Sequence, residues 1–259
     1  MVFNNEINRL KLWCGNRAEE YLPTQGSYGG IASVGYHLMY DLIFKLSTLM
    51  DRPFESKAAF REAILGMLDI HYEPCILEPQ NNTARHMIEK TNRGFCAYLD
   101  EVLSEPGISG PVEIPYRRVI VGDEAKGLIE KFRTVWGYVN TCCWFPLMGN
   151  EPEEIKDKFY IMYDYLEPYH KELEKLLGLP QTHIYSYGET VFYPEHCEEV
   201  VEMVEYGGCE SIYTDKDFSW AVYFSHEDTV AFAGSIVPKV KELLWAEQEH
   251  WDKFEWGID

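Results

Sequence analysis

The clearest local pattern lies between residues 218 and 235, in the stretch FSWAVYFSHEDTVAFAGS, where two short, largely apolar runs flank a polar segment. Residues 220–224 and 229–233 are β-branched, aromatic or small, and a polar segment joins the two runs. Two such runs around a short polar join predict a β-hairpin. Both alternating sets of the first run are apolar, which favours a strand covered on both faces.

The N-terminal half has a different pattern, in which apolar residues recur every three or four positions. This spacing predicts amphipathic helices, bounded by Pro, Gly and Asn-rich breaks. The predicted helices cover residues 5–21, 31–50, 56–70, 84–104 and 122–133, and a short strand is predicted at 116–121.

The C-terminal part predicts a mixture of helices and strands. Helices are expected at 151–166, with a kinked continuation to 177, at 195–206 and at 236–254. Strands are expected around 184, 212, 220 and 230. The predicted fold class is therefore α+β, with a mostly helical N-terminal part and a small antiparallel or mixed sheet packed under helices in the C-terminal part.

Charge divides the chain near residues 149–152, at a Gly, Asn and Pro break. Residues 1–150 hold 18 acidic and 15 basic side chains, whereas residues 151–259 hold 25 acidic and 8 basic ones and no arginine. We interpret 1–150 and 151–259 as two parts, either separate domains or one continuous globule. A net charge of −17 in the second part repels nucleic acid and anionic lipid and favours a basic protein partner, although solubility alone is the simpler explanation.

The predicted helix 195–206 sorts its residues by charge, with apolar side chains at 197, 200, 201 and 204. The opposite face holds the candidate binding residues Glu195, Glu198, Glu199, Glu202 and Glu205. A solvated face is the alternative interpretation. An acidic surface accelerates encounter with a basic protein, and aromatic anchors such as Trp251 and Trp256 then supply affinity.

The polar join of the hairpin contains the candidate catalytic residues His226 and Glu227. An imidazole beside a carboxylate on a loop can act in acid–base chemistry. Adjacent residues in a strand point to opposite faces, so the two need not touch, and Ser225 cannot complete a triad with its own neighbours. A polar turn is the alternative.

Cofactor and metal motifs are weak. The chain lacks GxGxxG, a P-loop lysine motif and HExxH, and its seven cysteines contain no C-x-x-C pair. Glu167 with His170 and Glu247 with His250 have a spacing that occurs in di-iron bundles, but it also arises by chance in a Glu-rich chain. We therefore expect neither a metal nor a cofactor.

No secretory signal is evident at the N-terminus, and His37, Asp41 and Lys45 interrupt the longest apolar stretch, so a cytoplasmic protein without a membrane span is expected. The leading functional hypothesis is a non-enzymatic acidic protein that binds a basic protein, as an inhibitor or immunity-type protein does. The alternatives are a small-molecule or ester/amide hydrolase that uses His226 with an acidic partner, and a structural subunit.

Overall fold

The computed structural model describes residues 1–21, 31–68, 82–104, 111–138, 144–146, 155–179, 181–189, 194–200 and 210–254. The chain divides into two compact units, Met1–Ile114 and Pro115–Asp259. The boundary predicted near 149–152 falls among residues outside the described ranges. Residues 117–136, which the sequence pattern placed in the N-terminal part, belong to the second unit.

Where the structure describes the first unit, its regular secondary structure is helical. Its described part contains α1 (Asn4–Tyr21), α2 (Ile31–Ser47), α3 (Lys57–Met67) and α4 (Asn82–Ser104). These confirm the four helices predicted from apolar spacing. Neither α2, which contains the longest apolar stretch, nor any other helix in the described residues is long and apolar enough to cross a membrane.

The core of the first unit forms where α1 and α4 pack against α2. Its fully buried side chains include Ile7, Leu10, Leu38, Met39, Phe95 and Leu99. Helix α3 begins after Ser56, whose hydroxyl accepts a hydrogen bond from the Ala59 amide at 3.1 Å. That contact satisfies one of the free N–H groups that every helix start leaves.

The second unit is built on a seven-stranded antiparallel sheet in the order β1-β4-β3-β5-β6-β7-β2. Its strands are β1 (Arg117–Val119), β2 (Lys158–Met162), β3 (Ile184–Glu189), β4 (Pro194–Glu199), β5 (Ser211–Asp215), β6 (Trp220–Phe224) and β7 (Thr229–Gly234). Its helices are α5 (Gly122–Trp136), α6 (Tyr163–Leu166), α7 (His170–Leu177) and α8 (Val237–Leu243). The α+β prediction is confirmed.

Helices cover both faces of this sheet. Tyr223 and its neighbours on one face pack against α5, whereas Val222 and Phe232 on the other face pack against α7 and α8. The two faces separate because successive side chains of a strand point in opposite directions. All five residues of β6 are buried, as the apolar pattern predicted for an interior strand.

The predicted hairpin is formed by β6 and β7, which pair from Trp220 opposite Gly234 to Phe224 opposite Val230. Gly234 ends β7 with a φ of +75°. A Cβ atom built there would lie 2.4 Å from the Ser219 carbonyl oxygen, so this position requires glycine on both steric and backbone grounds.

Two helix predictions in the C-terminal part are wrong. The helix predicted at 151–166 is replaced at Lys158–Met162 by strand β2, and within residues 155–166, the described part of that range, only the four residues of α6 are helical. The helix predicted at 195–206 is replaced at Pro194–Glu199 by strand β4, while residues 201–206 lie outside the described ranges. The closing helix predicted at 236–254 is shorter, since α8 ends at Leu243 and a 3-10 helix, Trp245–His250, follows.

Candidate functional site

His226 lies in the tight turn between β6 and β7. The turn closes through the Ser225 amide, which donates to the Thr229 carbonyl oxygen at 3.0 Å. Asp228 adopts the left-handed conformation with a φ of +56°. This geometry leaves the His226 side chain half exposed at the end of a strand pair that is otherwise buried.

The acidic partner of His226 is Glu210, which the sequence pattern did not identify. Ser211 pairs with Phe224, so Glu210, the residue before β5, comes to lie beside the turn. Its Oε1 contacts the His226 Nδ1 and accepts the His226 backbone amide at 3.3 Å. The Glu210 side chain is only 3% exposed, so an imidazole and a buried carboxylate form a close pair.

Glu227, the second candidate catalytic residue, also contacts this imidazole. Its Oε1 lies 3.1 Å from the His226 Nε2. The contact forms because the two residues lie in a turn, where adjacent side chains are not held on opposite faces. Ser225 is fully buried and its hydroxyl faces Glu210 at 3.4 Å, so it is not exposed as a nucleophile.

The surroundings of His226 and Glu210 raise the pKa of both side chains. The hydrogen bond to Glu210 raises the pKa of His226 above its usual value, in spite of partial burial. Burial raises the pKa of Glu210, against the opposing effect of the His226 hydrogen bonds. The arrangement can therefore hold an imidazolium against a buried carboxylate, or exchange a proton between the half-exposed ring and solvent.

The predicted acidic helical face does not exist in the described residues, because Glu198 and Glu199 are neighbours in strand β4. Glu198 is buried and contacts three basic side chains, namely Arg118 at 2.7 Å, His183 at 3.1 Å and Lys216. Burial raises the pKa of Glu198, but the hydrogen bonds from Lys216, Arg118 and His183 outweigh this effect and hold the pKa at about 2.

Glu199 points to the other face of the sheet, where it contacts Arg117 at 3.6 Å and the Ser186 hydroxyl. Glu195 lies in β4, but its side chain is outside the described structure, as are Glu202 and Glu205 altogether. A strand separates consecutive side chains between two faces, so Glu198 and Glu199 cannot share one surface. Their role in partner binding stays a prediction.

Trp251 forms part of an aromatic surface at the end of the second unit, whereas Trp256 lies outside the described residues. The Trp251 ring meets the Trp245 ring edge-on, with centroids 6.1 Å apart and an interplanar angle of 73°. Trp251 is partly buried, whereas Trp245 is 62% exposed. The sequence pattern did not single out Trp245, because it lay inside the helix predicted to continue to residue 254.

The two tryptophans border an open hollow of about 470 Å³ that Pro238, Lys241 and Glu242 complete. The Lys241 ammonium lies over the Trp251 ring, 5.4 Å from its centroid, and over the Phe159 ring at 5.0 Å. We call these five lining residues the tryptophan hollow. It combines an exposed aromatic face with one cation and one carboxylate.

The Glu-x-x-His pairs serve other contacts. Glu247 accepts the Tyr169 hydroxyl at 3.0 Å, and His250 stacks on Tyr165 at 3.8 Å between ring centroids. Within the described residues, no group of three or more His, Cys, Asp and Glu side chains is arranged to hold a metal ion.

No known protein family, curated protein or solved structure matches this chain. Inferences about its function therefore rest on the two sites themselves, the His226–Glu210 pair and the tryptophan hollow.

Proposed function

We propose that this chain is a non-enzymatic binding protein whose C-terminal unit engages a basic protein, as an inhibitor or immunity-type protein would. The observation that carries the proposal is Trp245, a largely exposed tryptophan that borders an open hollow in an acidic unit. Leaving so large an apolar ring in water is unfavourable, and exposed aromatic residues of this kind are frequent anchors of protein interfaces.

The charge of the unit supports a basic partner. Residues 115–259 carry 28 acidic and 13 basic side chains, a formal net charge of −15. Glu198 and Glu199 are paired within the unit, so the attraction would come from acids elsewhere on its surface. Glu242 is an exposed acid that lines the hollow, and the exposed acids Glu249 and Asp252 lie within two residues of Trp251 in the sequence. A field of this sign accelerates encounter with a cationic surface, and a buried tryptophan anchor then slows dissociation.

The test is capture from the native host followed by titration of the purified captured protein. We expect a basic protein whose dissociation constant rises at least tenfold between 50 and 300 mM salt, since the field is screened over about 10 Å at 0.1 M. Trp245→Ala should weaken binding about tenfold or more. Val135→Ala is the matched control, because Val135 is also an exposed apolar residue of this unit but lies in α5.

A charge-reversal pair sharpens the test. Glu242→Lys at the hollow should weaken binding more than Asp123→Lys in α5, where the aspartate side chain is 96% exposed. A dissociation constant that changes neither with salt concentration nor with Glu242→Lys contradicts the proposal.

A second candidate function, hydrolysis of an ester or amide, is favoured by the contact between Glu210 and the His226 Nδ1. A buried carboxylate on Nδ1 fixes the tautomer of an imidazole, which is how many general bases are positioned. Purified protein should then cleave nitrophenyl esters or aminocoumarin amides, and His226→Gln should abolish the cleavage while Asp123→Asn leaves it intact. Equal rates for wild type and His226→Gln reject this alternative.

A further inference from the structure

We infer that the tryptophan hollow binds an arginine side chain of the basic partner, with the guanidinium plane on the exposed face of Trp245 and paired with the Glu242 carboxylate. The inference rests on the proposed function and specifies which group of the partner is recognised. Its basis is the combination of aromatic face, carboxylate and open volume in one place.

The geometry suits a flat cationic group. Trp245 and Trp251 stand nearly perpendicular, with an interplanar angle of 73°, so they form two sides of a corner. Pro238 and Glu242 also line the hollow, and its volume of about 470 Å³ accommodates a side chain with its flanking backbone. A planar ligand in this corner would stack its face on one ring and bring its edge against the other ring.

The structure already contains the same interaction within the chain. The Lys241 ammonium lies over both the Trp251 and the Phe159 rings, within 5.4 and 5.0 Å of their centroids. Trp251 therefore has a cation on its ring, whereas Trp245 has most of its surface open to solvent. Lys241 also places a positive charge near the hollow, so a second cation needs the Glu242 carboxylate as a counter-charge.

Arginine fits this requirement better than lysine. Its guanidinium is planar, stacks on an aromatic face and presents a fork of N–H donors to a carboxylate, whereas an ammonium is a compact and strongly hydrated point charge. A guanidinium can therefore use Trp245 and Glu242 together. Residues 151–259 contain no arginine of their own, so a guanidinium in this hollow must come from outside that segment.

The test compares three blocked pentapeptides, Gly-Gly-X-Gly-Gly, in which X is arginine, lysine or citrulline. Each is titrated into the full-length ¹⁵N-labelled chain at 150 mM salt while the indole N–H resonances are followed. Trp245→Phe removes one indole resonance and thereby assigns it. We expect the Trp245 signal to shift with the arginine peptide, about fivefold weaker binding of the lysine peptide, and no saturable shift with the neutral citrulline peptide.

Variants separate stacking from charge. Trp245→Ala should reduce arginine-peptide binding about tenfold, read from the Trp251 resonance, and Glu242→Gln should reduce it about fivefold. Asp123→Asn, the matched loss of a distant exposed carboxylate, should leave binding unchanged. Unshifted melting temperatures verify that the variants are folded.

Other results separate the arginine site from the broader function. Equal binding of the arginine and lysine peptides, or binding that survives both Trp245→Ala and Glu242→Gln, overturns the arginine site and leaves the basic-partner function standing. Failure of the arginine peptide to shift the Trp245 resonance also overturns it. Salt-independent capture in the host experiment overturns the proposed function instead.

Discussion

Replacement of Glu198 by alanine tests whether this residue is buried among basic side chains, as in the structure, or lies on a solvated acidic helix, as the charge pattern of the sequence predicts. On a solvated acidic helix, losing one of several like charges would be neutral or slightly stabilising. In the structure, Glu198 is buried in β4 and holds Arg118 of β1, Lys216 and His183 through its two oxygens. Alanine at this position removes the acceptor that joins three separate segments of the sheet.

The magnitude follows from the pKa of Glu198, which is about 2 in the folded chain. An ordinary glutamate has a pKa of about 4.3, and each unit corresponds to about 1.4 kcal/mol, so linkage attributes about 3 kcal/mol to ionisation of Glu198 before solvent screening is considered. His183 and Lys216 are nearly half exposed, and solvent screens their share. We therefore expect Glu198→Ala to lower the free energy of unfolding by about 1–2 kcal/mol.

Urea unfolding at pH 7 measures this change. In a Trp13→Phe background the remaining six tryptophans all lie in residues 115–259, so fluorescence reports only the second unit. Glu124→Ala is the control, because Glu124 also pairs with Arg118 but its side chain is 54% exposed. Its loss should cost about 0.2–1 kcal/mol.

Acid provides a second readout with a defined sign. The folded pKa of Glu198 is depressed, so its stabilisation is complete above about pH 4.3, the unfolded pKa, and disappears as the pH falls toward 2. The gap between wild type and Glu198→Ala should therefore narrow between pH 5 and pH 3. Equal stability of Glu198→Ala and Glu124→Ala, or a gap unchanged by acid, would refute the buried ion-pair assignment.

Two further predictions concern the hairpin. His226→Ala leaves the buried Glu210 carboxylate without its imidazole and should cost about 1–3 kcal/mol in urea unfolding. Because the folded pKa of His226 is raised, this contribution is full below about pH 6.5 and declines as the pH rises through the folded pKa, so a cost that stays constant from pH 6 to pH 9 contradicts it. Gly234→Ala should destabilise by more than about 2 kcal/mol, since its Cβ would meet the Ser219 carbonyl oxygen in a left-handed backbone. Gly127→Ala in α5 is the matched control, because a Cβ there meets nothing within 4 Å. It should raise the free energy of unfolding by roughly 0.5–1 kcal/mol. Similar melting temperatures for the two alanine variants would count against the steric argument.

Elements with long or distinctive periodicity were predictable from sequence. Helix α3 buries Phe60 and Ile64 but exposes Glu62 between them, which fits one face of a helix and not a strand, where these three residues would share a face. The hairpin β6–β7 carries aromatic and β-branched residues in both alternating sets, which indicates a strand with two covered faces. In both cases local pattern and tertiary burial agree.

Strands β2 and β4 were missed because their local patterns are ambiguous. In β2, Phe159 and Ile161 alternate as a strand requires, but Phe159 and Met162 also fit one face of a helix, and five residues cannot distinguish the two periods. In β4, adjacent glutamates favour a helix, yet Glu198 meets cations from β1 and from the residue after β5. Tertiary contacts, which local propensity does not include, determine that this segment is a strand.

The candidate site was predictable only in part. His226 and Glu227 stood out as polar residues between two apolar runs, but Glu210 lies 16 positions before His226. The two meet because Ser211 pairs with Phe224, and strand register is not visible in the residues around Glu210. Trp245 was obscured because the apolar spacing continued past Leu243, where α8 ends.

The strand order has a consequence for how this unit is made. The two edge strands of the sheet are β1 and β2. Val119 of β1 pairs with Cys197 and Met162 of β2 pairs with Thr229, so both edge strands are synthesised long before their partners. The β5–β6–β7 meander joins sequential neighbours and can assemble as soon as it is synthesised. We expect the edge strands β1 and β2 to join the sheet last. Nascent chains that terminate before residue 229 should expose an unpaired β2 and aggregate.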